Sequence, residues 1–506
     1  MVIETVGRPP ELFRQARHAG LATERGKRIN HLLSHPGAEQ PHLRRIADHP
    51  RVITFIHWPR LLLKHTGIFQ QAGSGKRLCR RYQEVEQRLA LDMGTLLSAA
   101  LVVLASSSAA PAQTIAPAAL QADLRFALDT IERQHPDLAH SVTKAALERE
   151  AGRVRAQLDH PMDQAEAWAT LAQLNPTFAD GHLFIGLPDW RGQGAEAVRQ
   201  GTGYFPFEVA IDASDHPVIV SMLGGGPTPL AGRRILRIDG RDARDVARSL
   251  LERTHGDTPA FRRALLAQRW WLFHAKLYGT PARYDLALSS SGKPLTVEAG
   301  HALPAILQRD ASFDRLFACR INPDNSARLT VESFVWEDKA RFLGFTHDCF
   351  ARIKAASVDR LVIDVSANGG GDDDMWKDGI LRYVATRPYK QGSTFVKREA
   401  TGAVSAGTIE SATQPVPDEP LRFAGKVTIE IGPLTYSSAV LFANVVRDYR
   451  FGTLTGVGGA SRTRQSGGVR SVTLPNTGLI LSYPRFVLDP PTGKGASKLL
   501  QPTKVN

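Results

Sequence analysis

Two strand-to-helix junctions hold the residues of this 506-residue chain best suited to chemistry. In the later one, Lys426-Val-Thr-Ile-Glu-Ile-Gly432 runs as an apolar strand into Pro-Leu-Thr-Tyr, and Ser437-Ser438-Ala439 opens the helical VLFANVVRDY. A serine in the first turn of a helix stands where the positive helix terminus stabilises an alkoxide or an oxyanion, and equally where serine commonly serves as a cap. In the earlier one, Arg360-Leu-Val-Ile-Asp-Val-Ser-Ala-Asn runs straight into Gly369-Gly370-Gly371. Three glycines either make a flexible turn or free backbone N–H groups to face a ligand. Residue type leaves both readings open at each junction.

Both junctions recur, in order, in a known family. DRLVIDVSANGGG resembles the D-x-R-x-N-x-G-G strand and glycine loop of S41-type (tail-specific, C-terminal processing) serine peptidases. TYSSAVLFA resembles their nucleophile segment, and TLTGVGGA their V-V-G-E-x-T strand. The similarity covers roughly residues 316–500. It implies Ser437 as nucleophile, an oxyanion hole formed by the N–H groups of Gly370 and Ser438, and a crotonase-like fold for this part of the chain.

The pattern departs at the base. Bacterial tail-specific peptidases place a lysine about 25 residues after the serine, and here that position is Arg462. A guanidinium stays protonated at neutral pH and accepts no proton from serine. Lys494 and Lys498 are the only later lysines before Lys504, and neither lies in a segment resembling the family's lysine site. A tricorn-core-like branch of the family instead uses a histidine from the module ahead of its peptide-binding domain. Phe178-Ala-Asp180-Gly181-His182 resembles the D-G-H turn found there, which makes His182 the candidate base: a neutral imidazole accepts a serine proton at physiological pH. That branch has a serine just before the histidine, where Gly181 stands here, and an acid near the chain end, where Gln501 stands. Asp180 is the local candidate to orient the ring. Arg462 and Arg464 are also suited to a substrate carboxylate, if they are not simply solvated.

The positioning elements are legible around these residues. Residues 120–174 have apolar positions three and four apart, broken at Pro136 and Pro161, and read as a helical module spanning 113–185. Short β-like runs follow (FEVAI, PVIVSML, RRILRI, ARYDLALSS), with an amphipathic helix near 243–253, giving a β-rich domain over 186–300. The stretch GRRILRIDGRDARDVARSLL resembles part of a PDZ-like domain, which binds extended peptide ends by strand addition. Trp270-Trp271 and Phe273 either line a groove or pack between domains. Strands and helices alternate from Leu316 onward, arguing an α/β layered domain with a largely parallel sheet over 301–506.

Composition narrows the function classes. The net charge of +13 is mostly local: residues 1–92 carry 16 Lys+Arg against 8 Asp+Glu, leaving +5 for the rest. No aromatic-basic stripe appears downstream, so nucleic acid is not an expected partner. MGTLLSAALVVLASSSAAPA at 93–112 reads as a signal peptide, its apolar run too short to span a bilayer and ending in an Ala110-Pro111-Ala112 site. Residues 1–92 then read as a disordered or over-annotated extension. The expectation is a periplasmic or secreted protein with no membrane span once the signal is removed. Cys319 and Cys349 either pair or stay as two buried thiols, and the thiols are favoured. The resulting expectation is an α/β multidomain serine peptidase acting on polypeptide through an acyl-enzyme, with no metal or organic cofactor. The alternative is a catalytically inactive S41-like protein that binds a peptide or other ligand. The oligomeric state is not legible.

Overall fold

The computed structural model describes residues 114–289 and 293–503. The basic stretch 1–92 and the leader at 93–112 lie outside the described residues. Helices α1 (Pro117–Gln134), α2 (Lys144–Gln157) and α3 (Gln164–Leu171) come first. Helix α1 starts on Pro117, whose missing N–H is no loss in a first turn, and buries Leu120, Leu124, Ala127 and Ile131 at helical spacing. It ends before Pro136, and α3 begins in a reciprocal capping box between Asp163 and Glu166.

Strand β1 (Phe184–Gly186), helix α4 (Trp190–Arg199) and the antiparallel hairpin β2 (Phe207–Ile211) and β3 (Pro217–Met222) follow. An antiparallel sheet in the order β5-β4-β6-β7 comprises β4 (Ile235–Ile238), β5 (Arg241–Asp242), β6 (Arg283–Leu288) and β7 (Leu295–Glu298). Between β5 and β6 lie α5 (Ala243–Leu251) and the 20-residue α6 (Pro259–Tyr278). Helix α6 was not expected within a β-rich segment. It is the element that carries Trp270, Trp271 and Phe273, all buried in core packing rather than lining an open groove.

The C-terminal half has the expected layers. Strands β8 (Phe317–Ile321), β9 (Ser326–Val331), β10 (Arg360–Asp364), β13 (Lys426–Ile431) and β14 (Thr453–Gly456) form one sheet in the order β14-β13-β10-β9-β8. Its members are parallel except edge strand β8. Helices α7 (Lys339–Ala355) and α8 (Ser438–Asp448) make the crossovers β9-α7-β10 and β13-α8-β14. Strands β11 (Thr394–Arg398) and β12 (Val404–Thr408) join β15 (Gln465–Gly467) and β18 (Phe486–Leu488) in a second sheet; β16 (Arg470–Thr473) and β17 (Ile480–Tyr483) join β1 in a third.

Two large cores result. One unites the helices and the small sheets of residues 120–307 and also takes in Leu474, Leu479 and Leu481 from the β16–β17 hairpin. The other fills the parallel-sheet region from Phe313 to Leu500. A third, small cluster places Phe261 and Leu265 of α6 against Tyr436 and Ala460. Cys319 of β8 and Cys349 of α7 form a disulfide, against the expectation of two thiols. Register explains the pairing: β8 is the sheet's edge and α7 packs over it, leaving the two Cα atoms 5.9 Å apart, within bonding range. No helix among the described residues is long and apolar enough to cross a membrane.

Candidate active site at the β13–α8 junction

Strand β13 ends at Ile431, and a tight turn of 432–436 delivers Ser437 to the start of α8. The turn is fixed from below. Thr435 Oγ1 donates to Val365 O at 2.8 Å and accepts from Gly432 N–H at 2.9 Å, while Tyr436 N–H donates to Asn368 O at 3.0 Å. Both acceptor carbonyls lie just past β10, so the two junctions read from the sequence are one structure. Ser437 is held at φ 53° and ψ −125°, a conformation that a non-glycine residue adopts only at a cost of about 1–3 kcal/mol. Its side chain makes no capping hydrogen bond, which removes the cap reading, and Oγ has no protein partner among the described residues. Its N–H donates to Gln465 Oε1 at 2.9 Å.

Gly370 lies directly against this serine. At φ +100°, a Cβ on it would fall 2.6 Å from Ser437 Cβ and 2.9 Å from Ser438 N, so only glycine fits. Its N–H donates to Asn368 Oδ1 at 2.8 Å. Of the two N–H groups expected at an oxyanion hole, Ser438's is therefore the one without an acceptor among the described residues. The Ser438 side chain faces the other way, donating to Asp373 Oδ1 and accepting from Trp376 Nε1 at 2.9 Å. Burial raises the Asp373 carboxyl above its ordinary range.

The 178–182 turn comes to the same place across more than 250 residues of sequence. Gly181 N–H donates to Tyr436 Oη at 2.8 Å, and the His182 ring packs on the Tyr436 ring with centroids 4.9 Å apart. A Cβ on Gly181 would fall 2.5 Å from Tyr436 Cε1, the physical reason this chain has no serine there. Arg462 Nη1 donates to Ala179 O at 2.6 Å, and its own N–H donates to Asp257 Oδ2 at 2.8 Å. Tyr436 Oη donates to Asp257 Oδ1 at 2.7 Å. Arg462 thus clamps the turn, and Arg464 is paired with Asp137 and Asp489 at 3.1 Å each, so neither guanidinium is free for a substrate carboxylate.

His182 is 8% exposed, and its Nδ1 lies 2.9 Å from Ser466 Oγ. Nε2 has no partner among the described residues, and no hydrogen bond joins the ring to Ser437 Oγ. Such contacts commonly close only when substrate binds. Burial lowers the imidazole pKa, so the ring is neutral at pH 7 and able to accept a proton. Asp180 is fully buried. Burial alone would raise its carboxyl, but the neighbouring histidines and the donors converging on it hold it well below the usual carboxylate range. Asp257 goes the opposite way, pushed up to about 6 by burial and by the Asp180 charge. Gln465, Ser466, Tyr436 and Asp257 were not read from the sequence. The one local signal was the polar pair Gln465-Ser466 at the start of a short strand, otherwise undistinguished.

Residues 327–503 match the model of a family described as peptidase family S41. No curated protein sequence matches the chain. Among solved structures, mature CPAF complexed with lactacystin shares 13% identity with a TM-score of 0.53, over 73% of this chain and 90% of that one. Mature CPAF on its own gives 14% identity and a TM-score of 0.53, over 76% and 91%. A photosystem II D1 C-terminal processing protease shares 15% identity with a TM-score of 0.41, over 76% and 92%.

Proposed function

We propose that the chain is an exported serine peptidase of the S41 type, the family whose model residues 327–503 match, and that it cleaves polypeptides through an acyl-enzyme on Ser437. The observation that carries this reading is the ring contact that brings His182 onto Tyr436, the residue before Ser437. Among the described residues neither the Oγ of the strained serine nor the Nε2 of the neutral histidine has a hydrogen-bond partner.

In the proposed sequence Ser437 Oγ attacks the scissile carbonyl carbon while His182 Nε2 takes its proton. The carbonyl oxygen becomes an oxyanion facing the Ser438 N–H at the positive end of α8. Collapse breaks the C–N bond, and His182 returns the proton to the leaving amine. Water, activated by the same ring, then hydrolyses the ester and frees Ser437. The absence of a lysine dyad is accommodated, because Arg462 secures the histidine turn instead of acting as a base. We further read residues 186–300 as a PDZ-like domain that captures extended polypeptide and the parallel-sheet domain as crotonase-like. The Cys319–Cys349 disulfide and the leader-like sequence at 93–112 support export to an oxidising compartment.

A fluorophosphonate probe with intact-mass readout tests the reading on the full chain. One adduct per chain is expected, absent in Ser437→Ala and slowed by about 10³-fold or more in His182→Ala. No adduct under conditions that label a known serine hydrolase would leave the inactive, ligand-binding alternative.

A further inference from the structure

We infer that Ser466 is the positioning residue that connects Asp180 to His182, completing a Ser437–His182–Ser466–Asp180 arrangement in place of a directly bonded orienting acid; this rests on the function proposed above. His182 Nδ1 and Asp180 Oδ1 are 3.9 Å apart, too far for a hydrogen bond. Ser466 Oγ fills the gap, 2.9 Å from Nδ1 and 2.8 Å from Oδ1. All three residues are buried, so water has little access to replace the hydroxyl.

The direction of the protons follows from the acceptors. An ionised carboxylate only accepts, so the Ser466 O–H points at Asp180 and its lone pairs face Nδ1. His182 then carries its hydrogen on Nδ1 and presents a lone pair at Nε2, the tautomer that serine activation requires. The reverse wiring would place the hydrogen on Nε2 and leave nothing to accept the Ser437 proton. A second branch on the same carboxylate agrees. Asp137 N–H donates to His135 Nδ1 at 3.2 Å, His135 Nε2 lies 3.0 Å from Ser141 Oγ, and Ser141 donates to Asp180 Oδ2 at 2.6 Å. Both serines relay a histidine N–H toward Asp180, and the His182 backbone N–H reaches Oδ1 at 2.7 Å. The other titratable groups around the His182 ring are Tyr436 and His255.

Strand β15 thereby sets both partners of the reaction. Gln465 holds the Ser437 backbone and the next residue, Ser466, holds the His182 ring, so one strand fixes the separation of nucleophile and base.

Peptide hydrolysis and probe labelling by full-chain Ser466→Ala test this across pH 4–9. At pH 7 kcat is expected to fall by about 10²–10³-fold, with KM changed less than about threefold. The acid limb should also move to lower pH, because the imidazolium loses its acceptor; a folding defect would cut amplitude without moving the limb. A wild-type chain that labels while Ser466→Ala keeps its rate within about threefold, with the limb unmoved, overturns the assignment. If the variant does not fold, ¹⁵N-histidine NMR of the wild type, with the signal assigned by His182→Gln, decides: Nδ1–H supports it and Nε2–H overturns it. Loss of wild-type labelling defeats the peptidase reading, whereas the tautomer readout does not depend on it.

Discussion

Ser437 illustrates how a reactive residue is kept available. Its backbone angles are those that glycine tolerates and serine adopts only at a cost, yet the turn is tied at Gly432, Thr435 and Tyr436, so the strain cannot relax. Ser437→Gly should therefore abolish probe labelling while raising stability by about 1 kcal/mol, the relief of strain less the greater chain entropy of glycine. Urea unfolding monitored by fluorescence reads this, and a destabilised variant would show that the serine is not strained. Ser437, Gly370, Asp180 and His182 were legible because each sits in a short local motif. Ser466 was not, since its role exists only once the strand reaches a histidine 284 residues away. Arg462 was legible as an impossible base; that it clamps the Ala179 carbonyl depends on tertiary proximity alone.

The elements show which signals outrank others. Helix α1 was legible because its apolar residues repeat at helical spacing and Pro136 ends it. Helix α6 was overlooked because Trp270, Trp271 and Phe273 favour strands and sit among β-like runs. Its boundaries were nevertheless marked: Thr258 caps the first turn, Pro259 occupies N1 and Gly279 follows at φ +79°. Capping chemistry, being local, was the better guide there. Helix α1 is also fastened by one side chain. Fully buried Asp123 accepts from Asn476 N–H and Nδ2 and from Thr477 N–H and Oγ1, tying α1 to the β16–β17 turn. Asp123→Ala leaves those donors unpaired and should lower stability by about 2–4 kcal/mol. Strand β17 of that hairpin pairs with β1, which begins just after His182, so peptidase activity per folded molecule reads separately whether this fastening reaches the histidine turn. An equal loss of activity in the fully folded fraction would show that the α1–hairpin contact reaches the site.

Across the whole molecule, the buried histidines set a pH dependence. His135, His140, His182, His255 and His274 all have lowered pKa values, chiefly through burial, with His140 and His274 brought down to about 4. The unfolded chain takes up protons near pH 6.5 that the folded chain refuses, so ν for the unfolded state exceeds ν for the native state between about pH 6.5 and 4. Stability is thus fully present above 6.5 and is lost as pH falls through that window, each histidine contributing up to about 1.4 kcal/mol per pH unit. Asp257 opposes them. Raised to about 6 from an unfolded value near 3.8, it holds its proton in the fold, so its contribution weakens as pH rises from about 4 to 6. Asp373, Asp378 and Glu332, also raised by burial, act with Asp257, while Asp180, held low, acts with the five histidines, which leaves a net fall on acidification. Urea midpoints between pH 4 and 8 should drop steeply below 6.5, and Asp257→Asn should steepen that drop by removing one opposing group. A midpoint flat to pH 5 would mean that these rings protonate in the folded state. In that event the neutral His182 needed as a base would exist only at higher pH, and the acid limb of labelling would move up with it.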